Sequence, residues 1–238
     1  HASEIVSMLP PEPIELISLG AGQGTKDLLI MEHLQKQGKY LNYRPVDASQ
    51  GLLEIACQSA KDKNFACRGI KADLNNDSHL KEIEKISDDR PRLIMMLGNT
   101  LGAFDPLKFT AKLDKIMRPE DFLILDGEIF NQTDTLAGYD NPINRQFAFG
   151  PLSSVGLSEP KDGRLHIKTD VDDRQPGLYR IRKHFQASRN LKIILAGESV
   201  EIKSDTNIEM SWSYKYDRDA LIGLVSSSGM QLAEEYLS

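Results

Sequence analysis

The sequence predicts an α/β fold: a doubly wound, mostly parallel sheet with an inserted, smaller, largely antiparallel β subdomain. Five apolar segments alternate with segments of helical periodicity over the first half of the chain, as expected of strand–helix units. The fourth apolar segment, Arg92–Leu97, is continuous, which is typical of a parallel strand buried on both faces. From residue 163 onwards, apolar and polar residues alternate instead, as in antiparallel strands.

Local signals define the elements of the first half. Pro10-Pro11 ends a short N-terminal helix, because proline cannot donate a backbone hydrogen bond. Gly38 ends the next helix, Ser49 can cap a third, and Asp105-Pro106 is a typical helix start. The predicted strands are 14–19, 41–46, 65–71, 92–97 and 122–126, and the predicted helices are 2–9, 25–37, 49–61, 78–87 and 106–117.

The second half contains the signals of the antiparallel subdomain. Residues 139–158 are predicted to be helical or irregular. A turn at Gln175-Pro-Gly177 joins residues 166–171 and 178–185 into a hairpin. The remaining predicted elements are strands 191–202 and 207–216, a helix at 217–228 and a closing strand at 230–236.

The length of 238 residues suits one α/β domain with an elaboration, or one domain and a half. We predict a sheet domain of residues 1–135 plus 217–238, and a substrate-side subdomain of residues 136–216. The subdomain is expected at the carboxyl edge of the sheet, where open α/β sheets bind ligands.

Composition excludes several functional classes. The net charge of −6 argues against a nucleic-acid partner, because phosphate binding depends on clustered Lys and Arg. No apolar run approaches the roughly 20 residues that span a bilayer. Cys57 and Cys67 lack metal-ligand spacing and the five histidines do not cluster, so we expect no metal and a reduced cytoplasmic compartment. The expected partner is a small-molecule substrate, and the oligomeric state is left open.

Three alternating glycines follow the first apolar segment. Gly20, Gly22 and Gly24 form a G-x-G-x-G turn between a predicted strand and a helix, where a ligand can approach the backbone closely. The second strand ends on Asp47, and an acid in that position can hold both hydroxyls of a ribose. The pair predicts a cofactor that contains a nucleoside.

The glycine spacing favours one nucleoside cofactor over another. Nicotinamide-binding domains typically have G-x-G-x-x-G, whereas the spacing here suits S-adenosylmethionine (SAM) better. Gly20 and Gly22 would then contact the methionine end, Asp47 the ribose, and Asp73, after the third strand, the adenine amino group. The alternatives are NAD, or no cofactor, with glycines that only make a tight turn and acids that only cap helices.

Several segments, taken together and in order, resemble the histidine N-alpha-methyltransferases that make hercynine, the ergothioneine precursor. The resemblance implies a class I SAM-dependent methyltransferase with a Rossmann-like sheet and a smaller domain that closes over an amino-acid substrate. It implies further a cofactor site of Gly20, Gly22, Lys26, Asp47, Asp73 and Asn99. Tyr139 and Ser213 fall among the implied substrate contacts. The matching segments are Leu19–Lys26, Pro45–Ser49, Leu97–Pro106, Gly138–Pro142 and Ser213–Tyr216.

The sequence departs from that family pattern at three side chains. Ser18 stands where the family usually has an acid, Ala103 where an asparagine helps to bind the substrate's amino-acid group, and Ser211 where a glutamate reads the imidazole. The resemblance also implies a helical segment before the first strand and a longer closing strand pair. Because polar groups that read a substrate discriminate strongly, we expect an acceptor other than histidine.

Methyl transfer from a sulfonium needs no protein nucleophile, so the expected catalytic residues position an unprotonated acceptor and exclude water. Tyr139 and Ser213 are predicted for this role, with Ser211 and Ala103 as further substrate-binding positions. By topology, Asn99 and Thr100 lie under the transferring methyl group. The function predicted is SAM-dependent N-methylation of a small amino acid or related amine. The alternatives are a SAM-binding accessory protein without catalysis and an NAD-dependent oxidoreductase.

Plain structural roles compete with these functional ones. Tyr139 can simply anchor a loop, and Ser211 and Ser213 can be one face of a half-buried strand. Lys215 is expected to be a solvated charge at a strand end. Residues 180–184, a basic stretch, are expected to be the exposed face of a hairpin, with an anion-binding patch as the alternative.

Overall fold

The structure, a computed structural model, describes residues 1–85 and 90–237, and of Leu41 only the backbone. It contains two compact units, His1–Gly127 with Ile222–Ser238 and Glu128–Leu221. The division into 1–135 plus 217–238 and 136–216 stays a prediction about domain organisation. Within the described residues, no helix is long and apolar enough to cross a membrane.

The first unit contains a five-stranded parallel sheet in the order β3-β2-β1-β4-β5. The strand order reverses between β1 and β4, which makes their carboxyl ends the switch point where open α/β sheets bind ligands. The doubly wound parallel sheet predicted from the sequence is confirmed. Its elements are α1 (Ala2–Met8), β1 (Ile14–Leu19), α2 (Thr25–Lys36), β2 (Tyr40–Asp47), α3 (Gln50–Asp62), β3 (Ile70–Lys71), α4 (Asp77–Glu84), β4 (Arg92–Met96), a 3-10 helix (Thr100–Ala103), α5 (Pro106–Ile116) and β5 (Phe122–Leu125).

The core of this unit lies around β1 and β4, in which every residue is buried. Each strand has a neighbour on both sides, which explains why both are almost continuously apolar. The polar exceptions are Glu15 and Ser18 in β1 and Arg92 at the start of β4. Arg92 is held by an ion pair. Its Nε donates to Asp121 Oδ1 and Oδ2 at 3.1 and 3.0 Å, and Nη2 donates to the Ile116 carbonyl at 2.7 Å. The two side chains of this ion pair are 1% and 0% exposed.

The second unit contains a three-stranded antiparallel sheet in the order β10-β7-β6 and a separate two-stranded sheet of β8 and β9. The predicted antiparallel subdomain is therefore confirmed as a fold feature. The elements are α6 (Gln132–Tyr139), α7 (Pro142–Ser154), β6 (Gly163–Val171), β7 (Leu178–Ala187), β8 (Leu191–Leu195), β9 (Glu198–Ile202) and β10 (Asn207–Tyr216), and α8 (Arg218–Ser227) follows.

Some predicted elements were wrong in detail. Residues 191–202 form a hairpin rather than one strand, because Ala196 and Gly197 both have positive φ values, 50° and 85°, and reverse the chain. Residues 230–236 form no strand. The third strand is shorter than 65–71, and the last two residues of the helix predicted at 78–87 lie outside the described residues.

Candidate functional site

The turn after β1 brings backbone amides to the end of β2. Gly20 has φ +72°, and its N–H donates to the Val46 carbonyl at 2.8 Å; Ala21 N–H donates to the same carbonyl at 3.1 Å. A Cβ on Gly20 would lie only 2.4 Å from Thr100 Cγ2. Glycine is therefore required at position 20 for two reasons: the backbone conformation, and the close approach of the loop that follows β4 (residues 97–105, the β4 loop).

The Asp47 carboxylate, at the end of β2, is fixed by backbone donors. Its Oδ2 accepts from Gly22 N–H and its Oδ1 from Ser49 N–H, each at 2.9 Å. An ionised carboxylate offers about four lone-pair sites, so both oxygens can accept further hydrogen bonds. The side chain is thus oriented beside the glycine turn and has remaining capacity for the hydroxyls of a ligand.

Asp126, which follows β5 directly, is a site residue that the sequence reasoning missed. Its Oδ2 accepts from Lys26 Nζ at 2.7 Å and from Gly98 N–H at 2.9 Å, and its Oδ1 accepts from Asn99 N–H at 2.6 Å. Burial opposes ionisation, but these donors hold the pKa of the Asp126 carboxyl below its usual value. The available signal was an acid immediately after a strand, the same signal that identified Asp47.

The β4 loop presents Asn99 and Thr100 toward the glycine turn. Asn99 has φ +55°, in the left-handed region that asparagine tolerates, and it precedes the 3-10 helix. Thr100 Oγ1 donates to the Leu97 carbonyl at 2.6 Å, which turns its methyl group toward Gly20. Ala103 ends this 3-10 helix with an exposed methyl side chain that has no polar atom.

Asp73 lies two residues beyond Lys71, which pairs with Asp47 in the parallel ladder. It is exposed, and its Oδ1 accepts from Asn75 N–H at 2.9 Å, an Asx turn. The edge of the sheet therefore carries Asp73 next to Asp47. The turn geometry leaves room for either of the roles predicted for Asp73, ligand contact or local capping.

A buried acid lies in the first turn of the helix that follows the glycine turn. Asp27, in the first turn of α2, is 2% exposed, and burial raises the pKa of its carboxyl. Tyr43 Oη donates to Asp27 Oδ2 at 2.5 Å, and the Ser18 side chain is a second hydrogen-bond partner. An acid at position 18 would face the Asp27 carboxylate, so serine suits this buried site better.

In the second unit, three predicted substrate residues lie at one face of the β10-β7-β6 sheet. The ring of Tyr139 lies 5.0 Å from Lys183 Nζ and 4.9 Å from Lys215 Nζ. Directly paired residues of neighbouring strands point to the same face. Ser211 pairs with Lys183 and Ser213 with the next residue on that face of β7. Ala103, the fourth predicted substrate position, belongs to the first unit.

Two expectations about lysines in this unit were wrong. Lys215 is fully buried rather than solvated, and its Nζ pairs with Glu128 Oε2 at 2.5 Å. Lys183 is 7% exposed, because it shares the buried side of β7 with Ile181 and Phe185, so the stretch 180–184 is not simply an exposed face. The sequence alternation already indicated that Lys183 is buried, because Ile181 and Phe185 lie two residues away on either side and share its side of the strand.

Comparisons with known proteins place these features in context. A family model described as "histidine-specific methyltransferase, SAM-dependent" matches residues 1–238. The chain is similar to ergothioneine biosynthesis protein 1 of Neurospora crassa, with 24% identity over 249 residues, and to the histidine N-alpha-methyltransferase of Mycobacterium tuberculosis, with 28% identity over 202 residues. It is also similar, with 20% identity over 261 residues, to the 4-dimethylallyltryptophan N-methyltransferase of Epichloe festucae var. lolii.

These matches cover most of this chain but not always most of the relative. They span 99%, 82% and 97% of this chain, respectively. The chain covers 27% of the Neurospora protein, 62% of the Mycobacterium enzyme and 74% of the Epichloe enzyme.

Proposed function

The chain belongs to the family of histidine-specific, SAM-dependent methyltransferases, and on that premise we propose that it transfers the methyl group of SAM to the nitrogen of a small amino acid or a related amine. The observation that carries the proposal is the Asp47 carboxylate, oriented by Gly22 N–H at the switch-point edge of a parallel sheet. This arrangement suits the ribose hydroxyls of a nucleoside cofactor.

The proposed cofactor site lies along the carboxyl ends of the strands of the first unit. Asp47 accepts the ribose hydroxyls, and the neighbouring Asp73 accepts from the adenine amino group. The glycine turn lets the methionine part of SAM approach the backbone. Lys26, held by Asp126, lies on the same edge. The proposed cofactor-binding residues are Gly20, Gly22, Gly24, Lys26, Asp47, Asp73, Asn99 and Thr100.

Bound SAM supplies an electrophilic methyl group on a sulfonium, and the protein must position a neutral amine in line with it. Tyr139 and Ser213 are the proposed positioning residues, and Ser211 is a further contact. The Lys183 ammonium group at the Tyr139 ring supports this role, because positive charge near an amine lowers the pKa of the amine and favours its unprotonated form.

The proposed acceptor is an amino acid or a related amine, and its side chain need not be an imidazole. The printed names of the relatives include a histidine and a 4-dimethylallyltryptophan N-methyltransferase, so related enzymes act on different side chains. Ser211 and Ala103 stand at two positions where the family resemblance implies substrate-reading groups. Their small side chains support a change of acceptor.

The experiment is incubation of the protein with SAM and a pool of amino acids and amines, followed by assay of S-adenosylhomocysteine and a mass-spectrometric search for a methylated product. We expect both to appear with at least one acceptor. Calorimetric binding of SAM with no product from any acceptor would favour the accessory-protein alternative. Binding of NADH instead of SAM would contradict the cofactor assignment.

We also propose a cytoplasmic location and no nucleic-acid partner. The chain has two cysteines, Cys57 and Cys67, and this low cysteine content is typical of proteins from reducing compartments. The net charge of −6 disfavours binding to a polyanion. Fractionation of the source cells with an antibody to the protein tests the location.

A further inference from the structure

Lys183 is a buried residue whose ammonium group has no anionic partner among the described residues. The residue is 7% exposed and lies on the apolar side of β7. Within the described parts of the chain, no carboxylate lies within ion-pair distance of its Nζ. The face of the Tyr139 ring, 5.0 Å away, is the contact that its charge makes. Burial lowers the pKa of Lys183 with no opposing charge to restore it. A buried charge is unfavourable unless it is paired, so this one is suited to a ligand.

The neighbouring lysine does not compensate for it. Lys215 is buried too, but its Nζ pairs with Glu128 Oε2 at 2.5 Å, and the two charges cancel. The cluster of Lys183, Lys215, Glu128 and Tyr139 therefore keeps one uncompensated positive charge. A single positive charge fits a monoanion such as a carboxylate better than the dianion of a phosphate monoester.

A second buried group on the same sheet face is also unsatisfied. Thr169 Oγ1, on β6, is buried and has no hydrogen-bond partner in the described structure. Ile167 pairs with Lys183 across β6 and β7, and Thr169 is two residues further along β6 on the same face. Diagonal neighbours of this kind lie about 7–8 Å apart at Cα, within reach of a long side chain. One small anion can accept from both the ammonium and the hydroxyl.

We propose that Lys183 binds the carboxylate of the methyl acceptor, with the Thr169 hydroxyl as a second donor. The acceptor is then an amino acid with a free carboxylate and not its decarboxylated amine. This inference rests on the proposed function, because it assigns the substrate-recognition group of the same reaction. The role of Lys183 is to determine specificity, since no bond to Lys183 forms or breaks.

The test compares amino acids with their decarboxylated amines in wild-type and variant proteins. Calorimetry in the presence of S-adenosylhomocysteine measures the binding of tryptophan against tryptamine and of histidine against histamine. We expect the wild-type protein to bind at least one amino acid about 10-fold more tightly than its amine. Lys183→Met, which keeps the length but removes the charge, should lose about 10- to 100-fold in affinity for the amino acid and little for the amine.

Matched variants separate recognition from folding. Lys168→Met removes an exposed lysine from β6 of the same sheet and should change neither affinity. Lys183→Arg keeps the charge and should keep the preference for the amino acid. Thr169→Val should lose about 3- to 10-fold for the amino acid. Thermal unfolding of each variant, followed by circular dichroism, shows that the fold is retained.

The outcomes distinguish this inference from the proposed function. An unchanged ratio of amino-acid to amine affinity in Lys183→Met overturns the inference, as does a wild-type protein with no carboxylate-dependent binding across the panel. Methylation of the amines as fast as the amino acids also overturns it but leaves the methyltransferase proposal intact. Carboxylate-dependent binding without release of S-adenosylhomocysteine leaves the inference intact but contradicts the proposed methyl transfer.

Discussion

Replacing Gly20 by alanine should destabilise the protein by two separable effects. Gly20 has φ +72°, and the left-handed conformation destabilises a residue with a Cβ by about 1–2 kcal/mol. The new methyl group would also lie 2.4 Å from Thr100 Cγ2, and overpacking of this kind destabilises by about 1–3 kcal/mol. We therefore expect the free energy of unfolding to fall by about 2–5 kcal/mol.

Two further variants separate these effects. Gly38→Ala has nearly the same φ, +71°, but no atom within 4 Å of the new Cβ, so it should show the conformational part alone, about 1–2 kcal/mol. Thr100→Ser removes Cγ2 and keeps the hydroxyl, so it should restore stability to Gly20→Ala in the double variant. Urea unfolding followed by circular dichroism gives each value, provided that the m-value is unchanged. Equal losses for Gly20→Ala and Gly38→Ala, or no rescue by Thr100→Ser, would refute the steric reasoning.

Three other predictions test the site and the sheet. Asp47→Ala should weaken SAM binding by about 1–3 kcal/mol, since the ribose loses a charged acceptor; calorimetry that finds unchanged affinity would remove Asp47 from the cofactor site. Arg92→Met should lower the free energy of unfolding by about 3–5 kcal/mol, because it leaves the Asp121 carboxylate buried and unpaired; a loss below about 1 kcal/mol in urea unfolding would contradict this. The lowered pKa of Asp126 means that its stabilising effect is complete above the ordinary value of 3.8 and is lost as the pH falls through its folded-state pKa. The stability difference between wild type and Asp126→Asn should thus shrink below pH 3.8, and a difference that grows there would be inconsistent with the ion pair to Lys26.

The parallel sheet was predictable because burial on both faces leaves a direct trace in the sequence. Most positions of β1 and β4 are apolar, so the two strands could be predicted without knowledge of their neighbours. The hairpin at 191–202 was missed because its turn begins with Ala196, an unusual residue at positive φ. The strand predicted at 230–236 was wrong because an apolar pattern does not reveal whether a strand has a partner, and Leu232 in this segment is 52% exposed.

The candidate site was predictable where spacing along the chain carries the information. Gly20 and Asp47 follow consecutive strands and could be assigned to one sheet edge from order alone. Asp126 and Lys183 were missed although each has a local signal, an acid directly after a strand and alternation with apolar residues, because their partners are set by the tertiary structure. The first is identified by the Lys26 amine and two backbone amides that meet it, and the second by burial of one side of β7.

The buried ion pair of Arg92 and Asp121 has a consequence for protein engineering. This buried pair joins the amino ends of β4 and β5, which lie opposite the carboxyl edge that carries the proposed cofactor site. Because this ion pair lies at the amino ends, sequence changes beyond the carboxyl ends of the same strands leave its contacts unchanged. A library aimed at new methyl acceptors should leave residues 92 and 121 invariant, keep the proposed cofactor contacts Asn99 and Thr100, and randomise Ala103.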